Sequence, residues 1–408
     1  MLFHYAIMKI LIATQNSVFQ NQPVGGAETS LKLLGEHLAK NGHDVYYLTL
    51  NLSIKNIPHQ KINSNELKVQ IIQPSLLKRL SFKFLYKITR SSRLYHGFVF
   101  SSFHPAINEL TRDKSFDITH CFYEPGIVKS LISLKNINGF KIVLRIAGLK
   151  WVEEIQKRPA QKQTYEKIFN AIDAFNFISF GIEQLYAQNV RRLGMKIMPK
   201  PKLVLDIGVP SKVRKLSWKR RSKSQDVLRI VMVARFSDYQ KRQDLLVEAL
   251  TMVSPECKVI LTLIGEGTNK SNVKALADNL GVHEKVKFVP FVRKQRELWN
   301  ILLKNDLMVH ACDYEGLCKS IIESMAIGLP VLVSDVSPLN KYIKNGQNGF
   351  LVTNTSKAWA EAIEVQFRNR ERLDEVSVNS RQFAFENYDP NLNVLEYVSF
   401  FTWLRKNK

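Results

Sequence analysis

The 408-residue chain reads as an α/β protein with two doubly wound domains, each built on a parallel sheet. Three observations predict this. Short apolar runs alternate with helical patterns through the first half. A basic, proline-punctuated stretch from 196 to 226 then breaks the rhythm. Beyond it the alternation restarts, and the length suffices for two separate cores.

The elements follow in order. "IMKILIAT" (7–14) is a buried strand. "VGGAETSLKLLGEHLAKNG" (24–42) is a glycine turn and a helix with Leu31, Leu34 and Leu38 on one face, stopped by Asn41-Gly42. "HDVYYLTL" (43–50) is the next strand, which completes a parallel crossover unit. Further strands are expected at 67–73, 116–123, 140–148 and 174–180, followed by the helix "SFGIEQLYAQNVRRLG" (179–194). In the second half, strands are expected at 228–236, 257–264, 285–292, 306–312 and 329–335, with helices between them. Pro390 starts a last helix in an aromatic tail. The expected domains are residues 1–205, a basic linker at 206–226, residues 227–385, and a helix at 386–408 that packs across the junction.

A formal net charge of +23 attracts anions: nucleic acid, acidic lipid headgroups or phosphorylated substrates. Four cysteines without C-x-x-C spacing argue against a disulfide framework and for a reducing compartment. The start lacks the pattern of a signal peptide, and no segment approaches 18 uninterrupted apolar residues. The expected location is cytoplasmic, with any membrane contact peripheral.

Candidate site residues stand at strand ends, where ligands bind in open α/β sheets. Gly25 and Gly26 precede the first helix, with Glu28 in its first turn. The pair suits either a tight turn or close approach to an anion. Arg235 ends a strand, and Lys241 stands near the next helix start. Cations there fit a diphosphate, or belong to a basic solvated loop. Gly265 lies in the strand-end turn "LIGEG". In "ACDYEGLCKSIIESMAIGLPVLVSD" (311–335), Glu315 lies in a loop and Glu323 inside the following helix. Both carboxylates could accept hydrogen bonds from sugar hydroxyls. The backbone N–H groups of Gly316, Leu317, Cys318 and Lys319 would face phosphate. The apolar neighbours Ile321, Ile322 and Met325 argue against a fully exposed Glu323, and a half-buried carboxylate needs a partner.

This stretch resembles the nucleotide-binding signature of retaining glycosyltransferases of the GT-B fold, family GT4: two glutamates with seven residues between them, then "SMAIGLPVL". The resemblance spans nearly the whole chain. "GGAE" (25–28), "NGHDV" (41–45), Arg235, Lys241 and "NGQNGFLV" (345–352) match further motifs in order. It implies two facing Rossmann-like domains, with a C-terminal helix returning to the first. It implies a nucleotide-diphospho-sugar donor (a UDP- or GDP-sugar) and no obligatory metal. Arg235 and Lys241 would stabilise the departing diphosphate, Glu323 would bind the ribose and Glu315 the donor sugar. Asn348, Gly349 and Phe350 would close the base side. Some positions depart from the family pattern. The Arg235–Lys241 gap is one residue longer, Ala147 replaces a usual histidine, and Ala311-Cys312 replaces Pro-Ser. Arg145 or His120 would then take the acceptor-side place, although His120 could equally be a buried core histidine.

Residues 76–95 hold six basic residues and no acid, interleaved with Leu, Phe and Tyr. That composition fits either an anionic membrane surface or a solvated basic helix. The expected acceptor is a glycan hydroxyl, lipid-linked, in cell-surface polysaccharide or glycoconjugate synthesis. Alternatives are a soluble GT-B enzyme acting on a sugar phosphate or storage glycan, and a non-catalytic sugar-nucleotide binder. Nucleic-acid binding rests on charge alone and leaves Glu315 and Glu323 unexplained.

Overall fold

The computed structural model describes residues 6–15, 26–51, 63–64, 67–89, 91–219, 227–236 and 240–407. The chain divides into two compact units: Met1–Ile207 with Pro390–Lys408, and Gly208–Asp389.

The first unit holds strands β1 (Lys9–Thr14), β2 (Asp44–Leu50), β3 (Asn63–Ser64), β4 (Leu67–Ile72), β5 (Ile118–Phe122), β6 (Lys141–Ile146), β7 (Ala174–Phe177) and β8 (Lys202–Val204). They form one sheet in the order β3-β4-β2-β1-β5-β6-β7-β8. Every pairing is parallel except that of the two-residue β3 with β4. The strand order reverses between β1 and β5, so this unit's topological switch point lies beyond their C-terminal ends. Strands buried on both faces need near-continuous apolar runs, and β1 and β6 have them.

The predicted helix after β1 runs Gly26–Lys40, and Leu31, Leu34 and Leu38 are buried on its inner face. They share a core with Val394, Tyr397, Phe401 and Leu404 of the helix Pro390–Lys406. Full burial of each such aliphatic side chain is worth about 1.5–3 kcal/mol. That burial attaches the C-terminal helix to the first unit.

The second unit holds β9 (Val227–Val233), β10 (Lys258–Ile264), β11 (Val286–Val289), β12 (Leu307–His310), β13 (Val331–Ser334) and β14 (Phe350–Val352). The order is β11-β10-β9-β12-β13-β14, with every pairing parallel. Here the switch point lies between β9 and β12. Arg235 follows the first of these strands, and Glu315 follows the second.

Candidate active site

The loop after β9 is set by glycines in the turn after β10. Gly265 and Gly267 have φ values of 151° and 157°, and a Cβ on either would sit 2.0 Å from the carbonyl oxygen of Ala234 or Phe236. Two backbones therefore run in direct contact, joined by the Phe236 N–H donating to the Glu266 carbonyl (3.1 Å). This packing gives Gly265 a steric reason independent of any ligand.

A second backbone pairing places Lys241. It forms an isolated antiparallel bridge with Cys312. On either side, the Arg242 N–H donates to the Ala311 carbonyl and the Asp313 N–H to the Gln240 carbonyl, each at 3.0 Å. The loop beyond β12 is thereby laid against the loop beyond β9. Lys241 Nζ donates to a carboxylate oxygen of Glu315, forming a close ion pair, and lies 3.1 Å from His310 Nε2. His310, the last residue of β12, lies 3.2 Å from the same oxygen. The other Glu315 oxygen accepts from the Gly316 N–H at 3.1 Å. Burial works to raise the Glu315 carboxyl, but Lys241 and His310 outweigh it and hold the group well below the usual carboxylate range. Burial works to lower the Lys241 ammonium; Glu315 reverses that and raises it. Both groups are charged at neutral pH.

The helix Lys319–Ile327 starts beside this cluster with Cys318 at its N-cap, whose side chain makes no capping bond. A helix start carries N–H groups with no intrahelical partner and a partial positive charge, so it suits an anion. The Lys319 side chain is engaged elsewhere, with its ammonium donating to the Gly208 carbonyl. Arg242, by contrast, is held by Asp244 and Asp313.

Glu315 and Glu323 belong to separate networks. Glu323 is 6% exposed, and each of its oxygens is taken: Gln295 Nε2 donates at 2.7 Å and Trp299 Nε1 at 2.9 Å. Burial raises its carboxyl, partly offset by the Trp299 hydrogen bond. The apolar neighbours correctly implied a partner for Glu323. The partners come from the helix Gln295–Leu302, where Gln295 and Trp299 stand four residues apart on one face. Neither they nor His310 was singled out from the sequence. A histidine ending a strand at the switch point was the available signal.

Arg235 is exposed, and among the described residues no hydrogen bond or ion pair engages its side chain. Gly25 lies outside the described residues, while Gly26 opens the helix that carries Glu28. The "NGQNG" turn has its own structural account. Asn348 Oδ1 accepts from the Lys344 N–H (2.7 Å), and its Nδ2 donates to the Tyr342 carbonyl (3.0 Å). Gly349 leaves no room for a Cβ against Val331, and Phe350 begins β14.

The structure corrects the acceptor-side reading of Arg145 and His120. Both are 0% exposed in the core of the first unit. Arg145 donates to Asp206 (2.6 Å), Asn176 (2.7 Å), Ser30 (2.8 Å) and Tyr397 (3.0 Å). A buried guanidinium needs such a set of acceptors, and this one ties the start of one helix, β7 and the C-terminal helix together. His120 sits among the rings of Tyr397 and Phe401. Burial and the Arg145 charge push its pKa down to about 3, so it is neutral. At this unit's own switch point a different cluster stands. His96 Nδ1 pairs with Glu124 (2.7 Å) and its Nε2 with Glu154 (3.3 Å), and Tyr165 donates to Glu154 (2.7 Å).

Comparison with known proteins bears on this geometry. Residues 214–383 match the family model described as glycosyl transferases group 1, which spans Lys241, Glu315 and Glu323. Over 410 aligned residues, 94% of this chain and 96% of the relative, the chain is 22% identical to N-acetyl-alpha-D-glucosaminyl L-malate synthase of Bacillus anthracis. Among solved structures it is similar to sucrose-phosphate synthase from Thermosynechococcus elongatus, with a TM-score of 0.80 at 18% identity over 98% of this chain and 100% of that one. It is also similar to an Anabaena protein, HepE, solved in complex with UDP and glucose, with a TM-score of 0.65 at 19% identity over 96% and 99%. Residues 214–383 thus carry the match to the glycosyl transferases group 1 model, and the chain is a glycosyltransferase with the GT-B fold.

Proposed function

We propose that this glycosyltransferase moves a sugar from a nucleotide-diphospho-sugar to a hydroxyl of a lipid-linked glycan, with retention of anomeric configuration, at an anionic membrane surface. The observation that carries the donor half is the Lys241–Glu315 pair at the switch point of the second sheet, beside a helix start. As the glycosidic bond breaks, charge grows on the leaving diphosphate. Lys241, Arg235 and the N–H groups at 317–319 oppose that charge without reorganising. Glu315 accepts from hydroxyls of the donor sugar, and Glu323 is the ribose-side acid. The Anabaena neighbour solved with UDP and glucose supports this class of donor.

The membrane half is supported by the helix Leu76–Thr89. Leu77 is 78%, Phe84 66% and Ile88 65% exposed, with Leu80 on the same stripe. Lys83 and Lys87 flank the stripe on the exposed surface. Arg79 is buried, and Phe82 stacks on Phe98 (ring centroids 4.1 Å apart), so only part of the basic set faces outward. An apolar stripe with cationic flanks lies in a headgroup interface. Among the described residues no helix is long and apolar enough to cross a membrane. The full-length relative is named for L-malate, and a small soluble acceptor is accordingly the second reading.

The test is a thermal-shift screen with UDP- and GDP-sugars, paired with sedimentation on vesicles of anionic and of neutral phospholipid. One donor should raise the melting temperature of the wild type and not of Glu323→Ala. Anionic vesicles should capture the wild type and release F84D/I88D. No shift with any donor overturns the donor assignment. Equal sedimentation of wild type and variant overturns the membrane assignment and favours the soluble acceptor.

A further inference from the structure

The cluster around Lys241 contains more chemistry than donor binding uses. His310 Nε2, a Glu315 oxygen and Cys318 Sγ all lie within 4.8 Å of one another. Nitrogen, carboxylate oxygen and sulfur together are the ligand set of zinc. Two of the three spacings fit as they stand. Zn–N, Zn–O and Zn–S bonds set at tetrahedral angles require N···O and N···S edges of roughly 3.3 and 3.6 Å. The observed His310–Glu315 and His310–Cys318 distances are 3.2 and 3.6 Å; the third edge, Glu315–Cys318, is longer, within 4.8 Å, and closes when the Glu315 carboxylate, released by Lys241, turns toward Cys318.

We propose that His310, Glu315 and Cys318 form a three-ligand site for zinc, which occupies the place of the Lys241 ammonium and competes with the donor. Charge supports the exchange. A carboxylate and a thiolate sum to the two negative charges that a divalent cation neutralises, while His310 binds neutral. Zinc binding itself releases the Cys318 thiol proton and any His310 proton to solvent, as ligation by a thiol and an imidazole requires. Lys241 now donates to Glu315 from a flexible four-carbon stem. Zinc would turn that stem away, and the fourth tetrahedral position stays open to water. The site is inhibitory rather than catalytic, because it takes Glu315 and Lys241 out of the roles assigned to them above. The metal site itself stands on geometry alone; only its competition with donor rests on the proposed function.

The test titrates the reduced full-length chain with Co2+, and then displaces it with Zn2+. One equivalent should bind with a sulfur-to-cobalt charge-transfer band. The band should be lost in C318S and kept in C312S, whose cysteine is also buried and free. If C318S does not fold, H310Q serves instead: it keeps the thiol and should weaken Co2+ binding by at least about tenfold. Zinc at ten times its dissociation constant should raise the donor KM about tenfold with kcat unchanged. Absence of the band in the wild type, or its persistence in C318S, overturns the site. Inhibition that excess donor does not relieve overturns the competition. A chain that binds cobalt through Cys318 but shows no shift with any donor leaves the metal site standing and removes the proposed function.

Discussion

Lys241→Met tests the physical centre of the site. The substitution keeps a four-atom stem like that of lysine and removes the ammonium that pairs with Glu315. The carboxylate keeps the His310 contact at 3.2 Å and the Gly316 N–H at 3.1 Å. Side-chain exposure is 10% for Lys241 and 13% for Glu315, so water compensates little. Breaking a buried pair costs about 3–5 kcal/mol, and with the His310 and Gly316 contacts retained we expect about 2–3 kcal/mol. For a unit of this size that lowers the melting temperature by about 4–12 °C. Glu315 is an acid with a depressed folded pKa. Its contribution to stability is present above the ordinary carboxylate value of 4.5 and is lost as pH falls below it. In K241M the carboxyl titrates higher, so the gap between variant and wild type should narrow as pH falls through that value. Chemical denaturation of the two proteins at several pH values measures this. The double variant K241M/E315Q removes the stranded charge and should recover at least about 1 kcal/mol over K241M alone. If the two substitutions add to within about 0.5 kcal/mol, the ion pair is not what holds the cluster together and the reasoning fails.

Two further outcomes follow from the first unit. Arg145→Met should destabilise it by about 3–5 kcal/mol, because Asp206 is left buried without its cation, while donor binding by the second unit is retained in the fraction that folds. Loss of donor binding from a folded R145M would return Arg145 to the active site. His96 has a pKa raised to about 9: burial alone lowers it, and Glu124 and Glu154 more than reverse that. Its stabilisation is complete below pH 6.5, the ordinary histidine value, and is lost as pH rises through about 9. Wild type should therefore lose stability between those values while His96→Gln stays flat over the same range. Parallel profiles would show that the histidine is not charged in the folded state.

Much of the fold was legible in the sequence, for a local reason. Parallel strands buried on both faces need unbroken apolar runs, and the helices between them need a 3.6-residue apolar face. "MKILIA", "KIVLRI" and the Leu31-Leu34-Leu38 face carry those signals within a few residues of chain. The candidate donor-side positions were named from one helix and its flanks in another way, through the resemblance of Glu315, Glu323 and the glycine-proline turn to a family signature. What each group touches was not local. Lys241 meets Glu315 because two loops pair through Cys312, 71 residues on in sequence.

Tertiary structure alone decided the fate of each charged or polar candidate. Arg145 and His120 sit on strands at positions that sequence reads as strand ends near a site. The helix Pro390–Lys406 covers them and turns them into core. His310 was passed over as the last residue of a strand, yet the sheet order sets that strand beside β9 and brings it against Lys241 and Cys318. Apolar periodicity is written along the chain because burial is demanded residue by residue. Whether a given charge finds its partner depends on which distant segments the sheet order sets side by side, and no short stretch of sequence contains that.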